Sequence, residues 1–247
     1  MVRFIQPVVV LLATLCIPGA PRAEQRAAGA TARQYAPLSE YMMRRDAEIA
    51  LARSAAPPGI SGRATIKILT GSGYQLAHEG DNGFVCLVER GWSAPTYSPP
   101  PFRDLVYYAK LRSPICYNPI ASRTVLPYKE LRAKLGMQGK GPDEIAAGVE
   151  AAYAKGELPK IEAVSFAYMF SADMDLGPGI GHFHPHVMVF TPYYENSMLG
   201  GNAPDSGLPI VGNGGTPFAV TVIPVDDGLA VKARLGTLLP TEKPRKE

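Results

Sequence analysis

Three of the four histidines in this chain stand within five residues, at His182, His184 and His186. In extended backbone, alternate side chains share one face, so the three imidazoles would project to one side about 6.5 to 7 Å apart. Neutral imidazole is the commonest protein ligand for zinc or copper, and two such neighbours can share one ion. The segment therefore predicts a zinc or copper site. The alternative is that these histidines bond to backbone carbonyls or line an apolar pocket.

A catalytic metal site needs a third ligand and an open coordination position. The residues that could supply this ligand are His78, Glu195, Asp173 and Asp175, and none is selected by its spacing. Pro185 has no N–H to donate to a strand pair, so the segment is expected to be an edge strand or a loop that enters one. Three nearby methionines suit copper(I) or simply fill a core: Met174, Met188 and Met198.

Tyr193, Tyr194 and Glu195 follow the histidine segment closely and are predicted to line the same pocket. The first functional hypothesis is therefore an exported domain that binds a metal ion or a small molecule. The second is a metal-dependent hydrolase that uses the same histidines, with Glu195 as general base. The third is a structural or interaction protein of the cell envelope. Whether the protein is an enzyme stays open, since the sequence has no nucleophile motif such as G-x-S-x-G.

The elements that must position these residues are short strands and a few helices. Alternating apolar patterns predict strands at residues 65–69, 74–78 and 84–89, which we expect to form an antiparallel meander. Helical spacing follows at residues 39–55, 131–134 and 142–155, and later apolar runs predict further strands. We expect one α+β domain over residues 39–235, with a mostly antiparallel sheet of about six strands and two to three helices.

The first residues have the layout of a secretory signal peptide. Arg3 precedes an apolar run over residues 7–17, and the small residues Ala20 and Ala23 follow it. Cleavage after Ala23 is expected, with Ala20 and Ala30 as alternatives, and Cys16 leaves a lipoprotein as another. We expect a flexible linker at residues 24–38, a disordered tail at residues 236–247, and a location in the periplasm or outside the cell. The apolar run is too short to cross a bilayer, so we expect no membrane span.

Two cysteines, Cys86 and Cys116, are left once the predicted signal is removed. Because thiols are normally oxidised outside the cytosol, we expect a disulfide between them. The alternative is two separately buried thiols.

The charge balance argues against a nucleic-acid partner. The chain has 25 basic and 22 acidic residues, and loss of Arg3 and Arg22 with the signal would leave a net charge of about +1. Binding to phosphates needs a concentrated basic face, so we expect no nucleic-acid binding. The oligomeric state and the identity of the ligand are not indicated by the sequence.

The stretch Gly83-Phe84-Val85-Cys86-Leu87-Val88-Glu89-Arg90, followed by Cys116-Tyr117 and the His-Pro-His segment, resembles a group of uncharacterised exported bacterial proteins. The likeness covers roughly residues 41–225. It implies export and no reaction, substrate or catalytic residue.

Overall fold

An eight-stranded sheet organises the chain in the computed structural model, which describes residues 34–93, 102–204 and 206–234. The strands are β1 (Thr65–Thr70), β2 (Gly73–His78), β3 (Val85–Glu89), β4 (Ser113–Tyr117), β5 (Phe166–Met169), β6 (His186–Phe190), β7 (Ile210–Gly212) and β8 (Val220–Pro224). The α-helices are α1 (Leu38–Tyr41), α2 (Arg45–Arg53), α3 (Pro58–Ser61), α4 (Pro119–Thr124), α5 (Leu126–Met137) and α6 (Pro142–Ala154). Short 3₁₀ helices cover Gly91–Ser93, Phe102–Tyr107, Asn196–Leu199 and Asp227–Leu229.

The sheet has the order β2-β1-β3-β4-β5-β6-β8-β7, and every neighbouring pair is antiparallel except β1 and β3. The predicted α+β class with one mostly antiparallel sheet is therefore confirmed. The predicted numbers of strands and helices are too low. Strand β4 was missed because Pro114 stands inside it, opposite Val88, and β7 because it has three residues within a Gly-rich segment.

The predicted meander of the first three strands is wrong. Strand β2 pairs with one side of β1, and β3 lies on the other side of β1 and runs parallel to it. Strand β2 ends beside the start of β1. A short connection then crosses to the other side of β1, so β3 also begins beside the start of β1 and runs parallel to it. Gly80 permits this crossing, since a Cβ at this position would lie 2.3 Å from the backbone of Ala64.

The helix predicted over residues 39–55 is two helices, α1 and α2. The break lies at Met42, whose backbone is extended. Tyr41 stacks on Trp92 with ring centroids 4.4 Å apart, and its carbonyl accepts a hydrogen bond of 2.7 Å from Arg90 Nε. The Tyr41 carbonyl is thus bonded to a distant side chain, and the chain turns before α2 begins.

Each face of the sheet carries its own core. Leu87, Ile115 and Ala167 belong to the core on the face covered by α5 and α6. Their neighbours along the strands, Cys86 and Cys116, belong to the core beneath α2. This alternation follows from the two-residue period of a strand, which sends successive side chains to opposite faces.

The predicted disulfide between Cys86 and Cys116 is confirmed. The two residues are direct partners across β3 and β4, and both are fully buried.

The predicted signal peptide, its cleavage sites and the tail at residues 236–247 lie outside the described residues. Most of the predicted linker does too, but Tyr35 packs on Tyr107 and donates a hydrogen bond of 2.5 Å to the carbonyl of Lys140. Within the described ranges, no helix has both the length and the apolar character needed to cross a membrane.

Candidate functional site

The three clustered histidines have different surroundings. His186 is the first residue of β6 and is buried, whereas His182 and His184 precede the strand and are exposed. His182 Nδ1 lies 3.3 Å from the carbonyl of Met174, and His184 Nδ1 lies 2.8 Å from Asp227 Oδ1. No group of three or more His, Cys, Asp or Glu side chains that could hold a metal ion is present in the part of the chain that the structure describes.

The predicted third ligands do not join them. His78 lies on β2 at one edge of the sheet. Four strands lie between β2 and β6, and the five spacings of about 4.8 Å place the two strands about 24 Å apart. Asp173 accepts a hydrogen bond of 2.7 Å from the Ala233 amide, and Asp175 accepts one of 2.8 Å from the Gly177 amide. The metal site therefore stays a prediction without support from the described geometry.

A cavity of about 420 Å³ lies on the α5 side of the sheet, mainly against β6, β7 and β8. The strand pleat explains its lining, because His186, Met188 and Phe190 alternate along β6, and Val220 and Val222 alternate along β8. The other apolar lining residues come from the neighbouring strands, helices and loops: Phe102, Leu105, Leu111, Tyr128, Met169, Leu176, Ile180, Phe183, Pro204, Ile210, Val211 and Phe218.

Two charged side chains, Glu89 and Lys129, meet at one part of the wall. Lys129 Nζ lies 3.3 Å from Glu89, and both side chains are less than a tenth exposed. The Tyr117 hydroxyl donates a hydrogen bond of 2.5 Å to Glu89 Oε1. Burial, and then the nearby negative charge of Glu89, holds the pKa of Tyr117 well above its usual value, so Tyr117 stays a hydrogen-bond donor.

Arg90 is the third charged residue of the wall, and it is also paired. Its Nη2 lies 2.9 Å from Glu48 Oε1, and both side chains are almost completely buried. Glu48 Oε1 also accepts a hydrogen bond of 3.0 Å from the Leu69 amide. The guanidinium is held further by the carbonyls of Tyr41 and Val88.

His186 presents a neutral ring to the cavity. Its Nδ1 lies 2.7 Å from the carbonyl of His184, and because a carbonyl only accepts, Nδ1 carries the proton. Nε2 then has a lone pair, and no described residue forms a hydrogen bond with it. Burial lowers the pKa of His186 to about 4, although the bond to His184 raises it slightly. The ring is therefore uncharged near neutral pH.

Asn213 contributes an acceptor that has no partner among the described residues. It follows β7, lines the cavity and is 9% exposed. Its side-chain Oδ1 is buried and accepts no hydrogen bond there. The backbone has a φ of 53°, a left-handed conformation that Asn tolerates better than most residues. A buried amide oxygen without a partner costs free energy, which a bound hydrogen-bond donor would recover.

Of the histidines, tyrosines and carboxylates predicted to form the site, only His186 lies in the wall of this cavity, and of the three methionines considered beside them only Met188 does. Tyr193 and Tyr194 are exposed, and Glu195 is an exposed residue directly before the 3₁₀ helix Asn196–Leu199. The rest of the wall was not predicted. The alternation of His186, Met188 and Phe190 was a usable signal, as was the acidic Glu89 at the end of an apolar strand.

Comparisons with protein-family models, with curated proteins and with solved structures give no match for this chain. The resemblance to exported bacterial proteins therefore stays an expectation. The function has to be argued from the cavity itself.

Proposed function

We propose that this protein binds a small, largely apolar molecule in the cavity between the sheet and α5. The observation that carries the proposal is the cavity itself, about 420 Å³ in volume and lined mainly by aliphatic and aromatic side chains. Sites for small molecules commonly have this size, an apolar lining and a few placed polar groups. Here the polar groups include Glu89, Lys129, His186 and Asn213.

The hydrophobic effect supplies the driving force for such a ligand. Each square ångström of apolar surface that leaves water contributes about 25 cal/mol, and the two apolar surfaces, of ligand and wall, would leave it together. The volume of about 420 Å³ lies within the range of clefts that bury most of a drug-sized ligand, so ligand and wall can lose apolar surface to water together.

We further propose that the protein works outside the cytosol. The signal-peptide pattern at residues 1–23 supports export. The disulfide between Cys86 and Cys116 is compatible with it, because such bonds persist in oxidising compartments. The proposed location is the periplasm or the space outside the cell.

The two rival hypotheses receive less support. A metal-dependent hydrolase needs converging ligands, and the described residues offer no such group. A structural or interaction protein of the envelope would not need the cavity. Both stay predictions.

Binding can be measured with an uncharged apolar dye, N-phenyl-1-naphthylamine, whose fluorescence rises in apolar surroundings. We expect saturable binding at one site per chain. Val222→Phe, which places a ring into the cavity, should abolish it, whereas the neighbouring Ile223→Phe should not, since alternate residues of β8 face opposite sides of the sheet. Circular dichroism and thermal melting confirm that both variants are folded. Equal dye binding by folded Val222→Phe and wild type would refute the proposal.

Metal analysis of the purified protein tests the rival hypothesis of a metal site. Stoichiometric zinc or copper that is lost in a His184→Ala/His186→Ala variant would favour the metal hypothesis over the apolar ligand.

A further inference from the structure

The charges in the cavity wall cancel one another. Among the described lining residues the charged ones are Glu89, Arg90 and Lys129. Glu89 pairs with Lys129, and Arg90 pairs with Glu48 behind it. The described wall therefore has no net charge to offer, and His186 adds none near neutral pH.

This balance matters because charges are costly in an apolar cavity. An ion without a counter-ion loses several kcal/mol of hydration free energy on burial. A ligand carboxylate placed beside Lys129 would share a single ammonium with Glu89, and a ligand ammonium placed beside Glu89 would share a single carboxylate with Lys129. Either ion would leave one charge uncompensated.

The wall does offer hydrogen bonds. Asn213 Oδ1 is buried without a partner among the described residues. His186 Nε2 is a further acceptor that no described residue bonds, since the ring uses Nδ1 for its bond to the His184 carbonyl. Lys129 has three N–H donors, and Glu89 is its only hydrogen-bond acceptor in the described part of the chain. A hydroxyl is an uncharged group that both donates to such acceptors and accepts from such a donor.

We propose that the ligand of this cavity is an uncharged apolar molecule that carries a hydroxyl group, of the chemical class of the long-chain alcohols. This inference rests on the proposed function, since it specifies the ligand of the same cavity. Selectivity comes from the paired charges, which reject ions of the same shape, and from the unpartnered acceptors, which reject molecules without a donor.

The test uses four probes of equal chain type: decanol, decyl methyl ether, decanoate and decylamine. Each displaces the uncharged dye from the full mature protein at neutral pH. Decanol should bind best, the ether about tenfold more weakly through the lost donor, and both ions about a hundredfold more weakly. Decanoate or decylamine binding as tightly as decanol would overturn the inference, as would an ether equal to the alcohol. If the dye itself does not bind, the proposed function fails instead, so the two failures are distinguishable.

A charge-altering variant sharpens the test. Glu89→Gln leaves Lys129 without its counter-ion, so decanoate should gain at least about tenfold over decanol relative to wild type. Glu130→Gln is the matched control, because Glu130 adjoins Lys129 in sequence but pairs with Lys67 outside the cavity wall. An unchanged ratio in a folded Glu89→Gln protein would contradict the charge argument.

Should Glu89→Gln not fold, wild-type protein gives an independent answer. Only the protonated acid is uncharged, so the affinity for total decanoate should rise about tenfold for each unit that the pH falls from about 8 to about 6. Decanol is the control, since a change in the protonation of any residue in the wall would alter the affinity for decanol as well. The titratable residues of the wall are Glu89, Arg90, Tyr128, Lys129 and His186. A decanoate affinity that does not vary with pH would overturn the inference.

Discussion

The two halves of the sheet are built differently. In the closed half, which we define as β1, β3 and β4, β3 is buried except at its first residue and every residue of β4 is buried. Helix α2 covers one face there, and the core of α5 and α6 covers the other. In the cavity half, which we define as β6, β7 and β8, most strand residues are only partly buried. Filled packing stabilises the first half, and incomplete packing leaves room for a ligand in the second.

The buried ion pair of Arg90 and Glu48 should give the largest effect on stability. Glu48→Ala leaves Arg90 charged and almost completely buried, and we expect a loss of about 3 to 5 kcal/mol in the free energy of unfolding. Urea denaturation measures it. The exposed pair of Arg63 and Asp81 is the control, where Asp81→Ala should change stability little. A Glu48→Ala protein as stable as wild type would show that the closed half does not depend on this pair.

Removal of the disulfide should have the second-largest effect on the free energy of unfolding. The bond closes a loop with a sequence separation of 30, and its loss in a Cys86→Ala/Cys116→Ala variant should cost about 3 to 4 kcal/mol through the larger entropy of the unfolded chain. Urea unfolding with and without reductant measures this. Reductant should bring the wild type towards the variant and leave the variant unchanged. If wild type responds no more than the variant, the bond contributes little to the closed half.

In the cavity half, His186 should make stability depend on pH. Its folded pKa of about 4 lies below its ordinary value of 6.5, so the unfolded state binds a proton first as the pH falls. The contribution of neutral His186 to the free energy of unfolding is therefore fully present above about pH 6.5. It declines towards pH 4, with a total loss of about 3 kcal/mol. In unfolding curves measured between about pH 7 and pH 4, the stability of the wild type relative to His186→Phe, which cannot titrate at this position, should fall by about 3 kcal/mol, and a difference that does not vary with pH would contradict the prediction. The exposed His184→Gln variant serves as control and should follow the wild type.

The smallest expected effect is the difference in stability loss between matched substitutions in the two halves. Val88→Ala removes two methyl groups from a fully buried position of the closed half and should cost about 2 kcal/mol. Val222→Ala removes the same groups from the cavity wall, where fewer neighbours are lost, and should cost less than about 1 kcal/mol. Thermal or urea unfolding of both variants and the wild type measures the two losses. Equal losses would mean that the cavity is filled or collapsed in solution.

Local patterns predicted much of the framework. The two-residue alternation found most strands, and the helix predicted over residues 142–155 agrees with α6, which begins at Pro142. The pairing of the strands was less accessible, since the parallel arrangement of β1 and β3 depends on a crossing at Gly80. The site was least predictable. His186 was identified for its chemistry, but Glu89, Lys129 and Asn213 are far apart in sequence and carry no shared motif.

The amino-acid sequence by itself determined the fold class and the cysteine pair, and it singled out the histidine segment without selecting His186 within it. These depend on residue type and on spacing over a few positions, which local backbone geometry converts directly into structure. Tertiary packing alone decided that His182, His184 and His186 do not converge and that Lys129 of α5 neutralises Glu89 of β3. Such distances depend on how whole elements pack, because segments separated by tens of residues meet only when the hydrophobic core brings them together.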